Sequence, residues 1–117
     1  MRFLLCGLGV VVISASIAQA QVVLLPSDGS NIDDLAAQCQ LLNSDGDVFR
    51  GIQVNVTNNA AHLKICTFYC NGTRKAGTFR GKCTLQLQPG DSRLCGLDTN
   101  YSDYQTITDG SYSCEAG

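Results

Sequence analysis

The chain has 117 residues, 8 Lys and Arg against 10 Asp and Glu, one histidine and seven cysteines. A formal charge of −2 offers no positive field for nucleic acid, and the lone His62 and lone Glu115 leave most general acid–base pairs without a second member. A length this small buries too little surface for more than one core, so crosslinks are expected to supplement packing.

Arg2 precedes an apolar run from Phe3 to Val12, and Ala18-Gln19-Ala20 is the small-X-small pattern at which signal peptidase cuts. Residues 1–20 read as a cleaved signal peptide and 21–117 as a single disulfide-rich secreted domain with no membrane span. Cys6 leaves with the leader. Cys39, Cys66, Cys70, Cys83, Cys95 and Cys114 form an even set in an oxidising route, so all six are expected in disulfides, with the connectivity open. Removal of Arg2 takes the charge to −3, seven cations against ten acids.

Val22 to Leu25 reads as a short apolar strand ended by Pro26 and the Asp28-Gly29 turn. Ser30 and Asp33 have capping-box spacing. Ile32, Leu35, Ala36, Cys39 and Leu42 recur at helical spacing, which predicts one amphipathic helix over 31–42. Asn43 to Asp47 forms a polar turn; as a calcium loop it fails, because Leu41 and Ile52 fall where oxygen ligands are required.

Ile52, Val54 and Val56 alternate with Gln53, Asn55 and Thr57 as a half-buried strand. Asn58-Asn59 turns the chain into a strand from Leu63 to Cys70. Two cysteine sulfurs at Cys66 and Cys70 in extended chain lie about 13 Å apart, beyond the ~7 Å Cα limit for a disulfide, so each needs its own partner. Asn71-Gly72 reads as a hairpin turn with Ala76 to Arg80 returning antiparallel, and Asp109-Gly110 as a second such turn between 104–108 and 111–114. Cys83, Leu85 and Leu87 alternate inward. The expected fold class is therefore α+β: a small disulfide-stapled domain of short antiparallel strands with one N-terminal helix.

Three Asn-X-Ser/Thr sequons, at Asn55, Asn71 and Asn100, are candidate glycosylation sites. Arg50, Lys64, Arg74, Lys75, Arg80 and Lys82 lie between Asp47 and Asp91 with no acid between them, giving a basic centre and acidic ends. Arg74, Lys75, Phe79, Arg80 and Lys82, gathered by the hairpin, are the candidate partner-binding set, with Tyr101, Tyr104 and Tyr112 as a second aromatic set. Metal ligation is not expected: there is no paired Cys-X-X-Cys and no second histidine. No cofactor motif is found. Nine aspartates leave a small hydrolase as a remote alternative.

Leader, six remaining cysteines and an acidic domain resemble in layout the small secreted cysteine-rich effector proteins of fungal pathogens. That resemblance implies an extracellular, non-enzymatic virulence protein, a monomer without nucleic-acid partners, that binds or shields a host protein or glycan. Cys66-Thr67-Phe68-Tyr69-Cys70-Asn71-Gly72-Thr73, followed by Gly81-Lys82-Cys83, is similar to a segment of tick class A evasins, which implies the alternative of a salivary protein binding host chemokines. Cys95 and Cys114 depart from the closely spaced terminal cysteines of that family.

Overall fold

The structure, a computed structural model, describes residues 21–115. The leader segment lies outside the described residues. Eight strands follow in order: β1 (Gln21–Val23), β2 (Leu25–Pro26), β3 (Leu35–Asp45), β4 (Val48–Asn58), β5 (Lys64–Arg74), β6 (Gly77–Leu87), β7 (Ser92–Gly96) and β8 (Tyr104–Cys114). Among the described residues there is no helix, so the expected α+β class is replaced by an all-β one.

The strands form one sheet in the order β1-β3-β4-β8-β5-β6, with β7 added to β4 and the short β2 running parallel to β8. A single bridge, Phe49 to Tyr104, joins β4 to β8. The sheet folds over at this weak seam into two layers, β1-β3-β4-β7 and β8-β5-β6. Cys39–Cys70 links β3 to β5 across them, and Cys83–Cys95 links β6 to β7. Cys66–Cys114 staples the neighbouring strands β5 and β8, whose Cα atoms there are 4.0 Å apart. Cys66 and Cys70 thus take separate partners, as extended chain requires.

The expected helix over 31–42 is strand β3 instead. Leu35, Ala37, Cys39 and Leu41 are buried, while Ala36, Gln38 and Gln40 face outward, so the segment satisfies a period of two as well as it satisfies the helical one. Good helix formers, Ala36, Ala37 and Gln38, are overruled by pairing with β4 from Leu35↔Asn58 to Asp45↔Val48 and by the Cys39 crosslink. The donors that would need an N-cap are taken by side chains in local turns: Asp28 accepts from the Ser30 N–H at 3.0 Å, and Asn31 from the Asp33 N–H at 2.9 Å.

Both expected Asx-Gly turns are also corrected. Strand β5 runs straight through Asn71-Gly72 to Arg74, and the reversal falls at Lys75-Ala76, with Arg74 opposite Gly77. Strand β8 runs through Asp109-Gly110 without reversing. Each glycine serves close approach. A Cβ on Gly72 would strike the Thr106 carbonyl oxygen and sit 2.7 Å from the Phe79 ring. One on Gly110 would strike the Leu24 side chain and lie 2.6 Å from the Tyr69 carbonyl oxygen. The hairpin turn between β3 and β4 is Gly46-Asp47, where Gly46 has φ 67°.

Between the layers lies an apolar core that includes Val54, Val56, Phe68, Phe79, Leu87, Tyr104 and Tyr112. One fully buried polar residue, Asn58, holds the loops at one end. Its amide nitrogen donates to the carbonyls of His62 (3.1 Å) and Leu87 (3.0 Å), and its oxygen accepts from the Ala60 N–H at 2.9 Å. All three bonds satisfy backbone groups that strand pairing leaves open.

Candidate contact surface

Strand parity divides the candidate hairpin residues. Phe79, Gly81 and Cys83 point inward and are buried, whereas Arg80 and Lys82 point outward and are exposed. Phe79 packs edge-on against Tyr104 with ring centroids 5.0 Å apart, which removes it from the partner-binding set. Tyr104 and Tyr112 are likewise core residues. The Tyr112 hydroxyl has no hydrogen-bond partner among the described residues, and burial, helped by the charges of Asp28 and Asp34, raises its pKa above the usual tyrosine value.

The acidic ends fold back onto the basic centre. Lys64 pairs with Asp34 at 3.1 Å, Arg74 with Asp103 at 3.0 Å, Lys75 with Asp47 at 3.4 Å and Arg50 with Asp45 at 2.7 Å. Arg74 is therefore a structural residue rather than a free contact. Its guanidinium also lies over the Tyr101 ring, and Asp103 in turn accepts from the Ala76 N–H at 3.3 Å. Lys75 stays exposed at the turn, and its pair with Asp47 is weak because both partners are in water.

Of the six cations in the central segment, Arg80 and Lys82 form no ion pair among the described residues. Two positions apart on one strand, they lie about 7 Å apart on the same face. They line an open cleft of about 340 Å³ with Tyr69, Gly81 and Asp98. Tyr69 reaches this face because it stands opposite Lys82 on β5, and the Arg80 guanidinium lies 5.3 Å from its ring centroid. Asp98 is fixed against the edge of β6. Its carboxylate accepts from the Lys82 N–H at 2.9 Å, and its own N–H donates to the Lys82 carbonyl at 3.1 Å.

Tyr69 and Asp98 are absent from the candidate set read from the sequence. Alternation with Cys66, Phe68 and Cys70 already sends Tyr69 outward, but only the β5–β6 register sets it beside Lys82. No signal in the sequence pairs Asp98 with β6. Around the cleft the outer face continues as a polar ladder, with Thr67 hydrogen-bonded to Thr84 (2.9 Å) and Thr73 to Thr106 (2.6 Å).

The sequons fall in three settings. Asn71 lies in mid-strand on the outer face, not at a hairpin tip, and its amide nitrogen donates to Asp109 at 2.7 Å. Asn55 lies on the outer face of the other layer, between Gln38 and Leu94. Asn100 is exposed in the loop that follows β7.

Comparison with protein-family models, with curated proteins and with solved structures returned no match. Fold and crosslinks define the class: a cysteine-rich, disulfide-bonded all-β protein whose three bridges are compatible with an extracellular setting.

Proposed function

We propose that this is a secreted, non-enzymatic effector that binds an anionic glycan of a host extracellular surface through the Tyr69–Arg80–Lys82 cleft. The observation that carries this reading is that Arg80 and Lys82, alone among the central cations, stand outside ion pairs and share one exposed cleft with an aromatic ring. Two cations about 7 Å apart on one face can meet neighbouring acidic groups of an extended polysaccharide together, and hydroxyl-bearing Thr67 and Thr84 supply neutral hydrogen bonds beside them. Three disulfides resist unfolding and proteolysis outside cells.

Retention on immobilised heparin with elution by a salt gradient tests it. Wild type is expected to bind and to elute in a salt-dependent way, and the double substitution Arg80→Ser with Lys82→Ser to flow through. Equal elution of the two proteins would sink the reading. The competing one, a protein that binds basic chemokines as the local likeness to evasins implies, is favoured by exposed carboxylates outside ion pairs, among them Asp28, Asp33 and Asp109. It requires a tight complex with a basic chemokine that survives the same double substitution.

A further inference from the structure

We infer that the outer face of the β1-β3-β4-β7 layer is covered by the chain's own N-glycan, attached at Asn55, whose first sugar seats in a groove beside that residue. The inference rests on the secretory part of the proposed function and is independent of the cleft on the opposite layer. Strand register places four residues in one row across this layer: Val23 on β1, Gln38 on β3, Asn55 on β4 and Leu94 on β7. The outermost two are 67% and 61% exposed, the most solvent-exposed large apolar side chains among the described residues. They stand singly at the two ends of the row, with the polar Gln38 and Asn55 between them, each within two strands of Asn55 and so within reach of a glycan rooted there.

A groove of about 310 Å³ runs along this row, lined by Val23, Ala36, Ala37, Gln38, Asn55 and Thr57. Both defining residues of the sequon, Asn55 and Thr57, therefore line the groove that a sugar on Asn55 would enter. The Asn55 side chain makes no hydrogen bond among the described residues, whereas the Asn71 amide is already engaged by Asp109. Asn55 and Val23 are two strands apart, about 10 Å, within reach of the first sugars of a glycan. Val23 and Ala36 offer an apolar seat to an N-acetyl methyl group, and the Gln38 amide faces the ring hydroxyls. Attachment forms one bond, from the Asn55 amide nitrogen to the sugar's anomeric carbon, as that nitrogen gives up one proton and the anomeric carbon–oxygen bond to the lipid pyrophosphate donor breaks, the pyrophosphate leaving with the electron pair.

The test uses full-length protein secreted from cells that make only high-mannose glycans. One portion is trimmed with an endoglycosidase that leaves a single N-acetylglucosamine, and another is stripped with an amidase that leaves Asp; Asn55→Gln, with Asn71 and Asn100 unchanged, serves as the control that lacks sugar at this site alone. Glycopeptide mass spectrometry is expected to show Asn55 occupied. The trimmed form is expected to melt with the untrimmed one, and the stripped form with Asn55→Gln, lower by about 2–5 °C. Amide hydrogen exchange over Val22 to Gln40 is expected to quicken only in the last two. An unmodified Asn55 in a protein glycosylated at Asn100 overturns this inference alone, as does a trimmed form that melts and exchanges like the stripped one. A chain that keeps its leader and carries no glycan overturns the secretory reading as well.

Discussion

The guanidinium carbon of Arg74 lies 3.8 Å from the centroid of the Tyr101 ring, while its Nε donates to Asp103 at 3.0 Å. One side chain of β5 thereby clamps the loop between β7 and β8 from two sides. The Lys75 N–H adds a bond to the Asp103 carbonyl at 2.9 Å, so the hairpin turn and the loop close on each other. The same loop ties back to the core, where the Tyr104 hydroxyl bonds Thr99 Oγ1 at 2.6 Å.

Arg74→Ser is therefore expected to cost about 1–2 kcal/mol, combining a lost cation–π contact with a half-buried ion pair. Urea denaturation of the single variant beside Arg80→Ser/Lys82→Ser checks it. The double variant should stay within about 0.5 kcal/mol of wild type, because both residues are exposed, form no ion pair among the described residues, and the Arg80 contact with the Tyr69 ring is long and in water. Equal stability of all three proteins would mean that the Arg74 clamp contributes nothing.

Gly72→Ala tests whether β5 and β8 need a bare backbone where their register shifts between Asn71 and Gly72. The added methyl meets a carbonyl oxygen and the Phe79 ring, neither of which can swing away, so a loss of about 3 kcal/mol or more is expected. Gly46→Ala is the comparison. It has open space around the new methyl and only a left-handed φ to strain, worth about 1 kcal/mol. Thermal melts that rank the two in the opposite order would argue against a continuous β5.

Peptide mapping without reduction should recover Cys39–Cys70, Cys66–Cys114 and Cys83–Cys95. Replacing Cys39 and Cys70 together by Ala should lower stability by about 2–4 kcal/mol, since that bridge alone joins β3 to β5 across the layers. Recovery of a Cys66–Cys70 peptide would contradict the extended course of β5.

Asp28 links acid sensitivity to the closing of β8. Its carboxylate accepts from the Cys114 N–H at 2.8 Å and from Ser30, and these bonds, that from Cys114 foremost, hold its pKa at about 2 against an ordinary 3.8. A folded-state pKa below the unfolded one contributes stability that is full above pH 3.8 and is lost as pH falls towards 2. The melting temperature of wild type should fall through that window more steeply than that of Asp28→Asn. Carboxyl titration by NMR reads the same shift directly, and a midpoint near 3.8 would refute it.

Strands with one unambiguous period were legible in the chain itself. Ile52, Val54 and Val56 on β4, and Cys83, Leu85 and Leu87 on β6, alternate because one face meets a core and the other meets water, a constraint written into neighbouring residues. The separate partners of Cys66 and Cys70 followed from the reach of extended backbone.

Three features were decided only by contacts far apart in sequence. The segment from Leu35 to Leu42 fits two periods, and pairing with β4 together with the bond to Cys70 selects the strand. Gly72 and Gly110 carry the same local signature as turn glycines, yet their role is set by the Thr106, Phe79, Leu24 and Tyr69 atoms packed against them. The basic centre is contiguous in sequence, but Asp34, Asp47 and Asp103 reach it only when the sheet closes, leaving Arg80 and Lys82 outside ion pairs beside Tyr69. Charge and hydropathy act locally along a chain, whereas register and layer packing choose which of those charges and glycines meet.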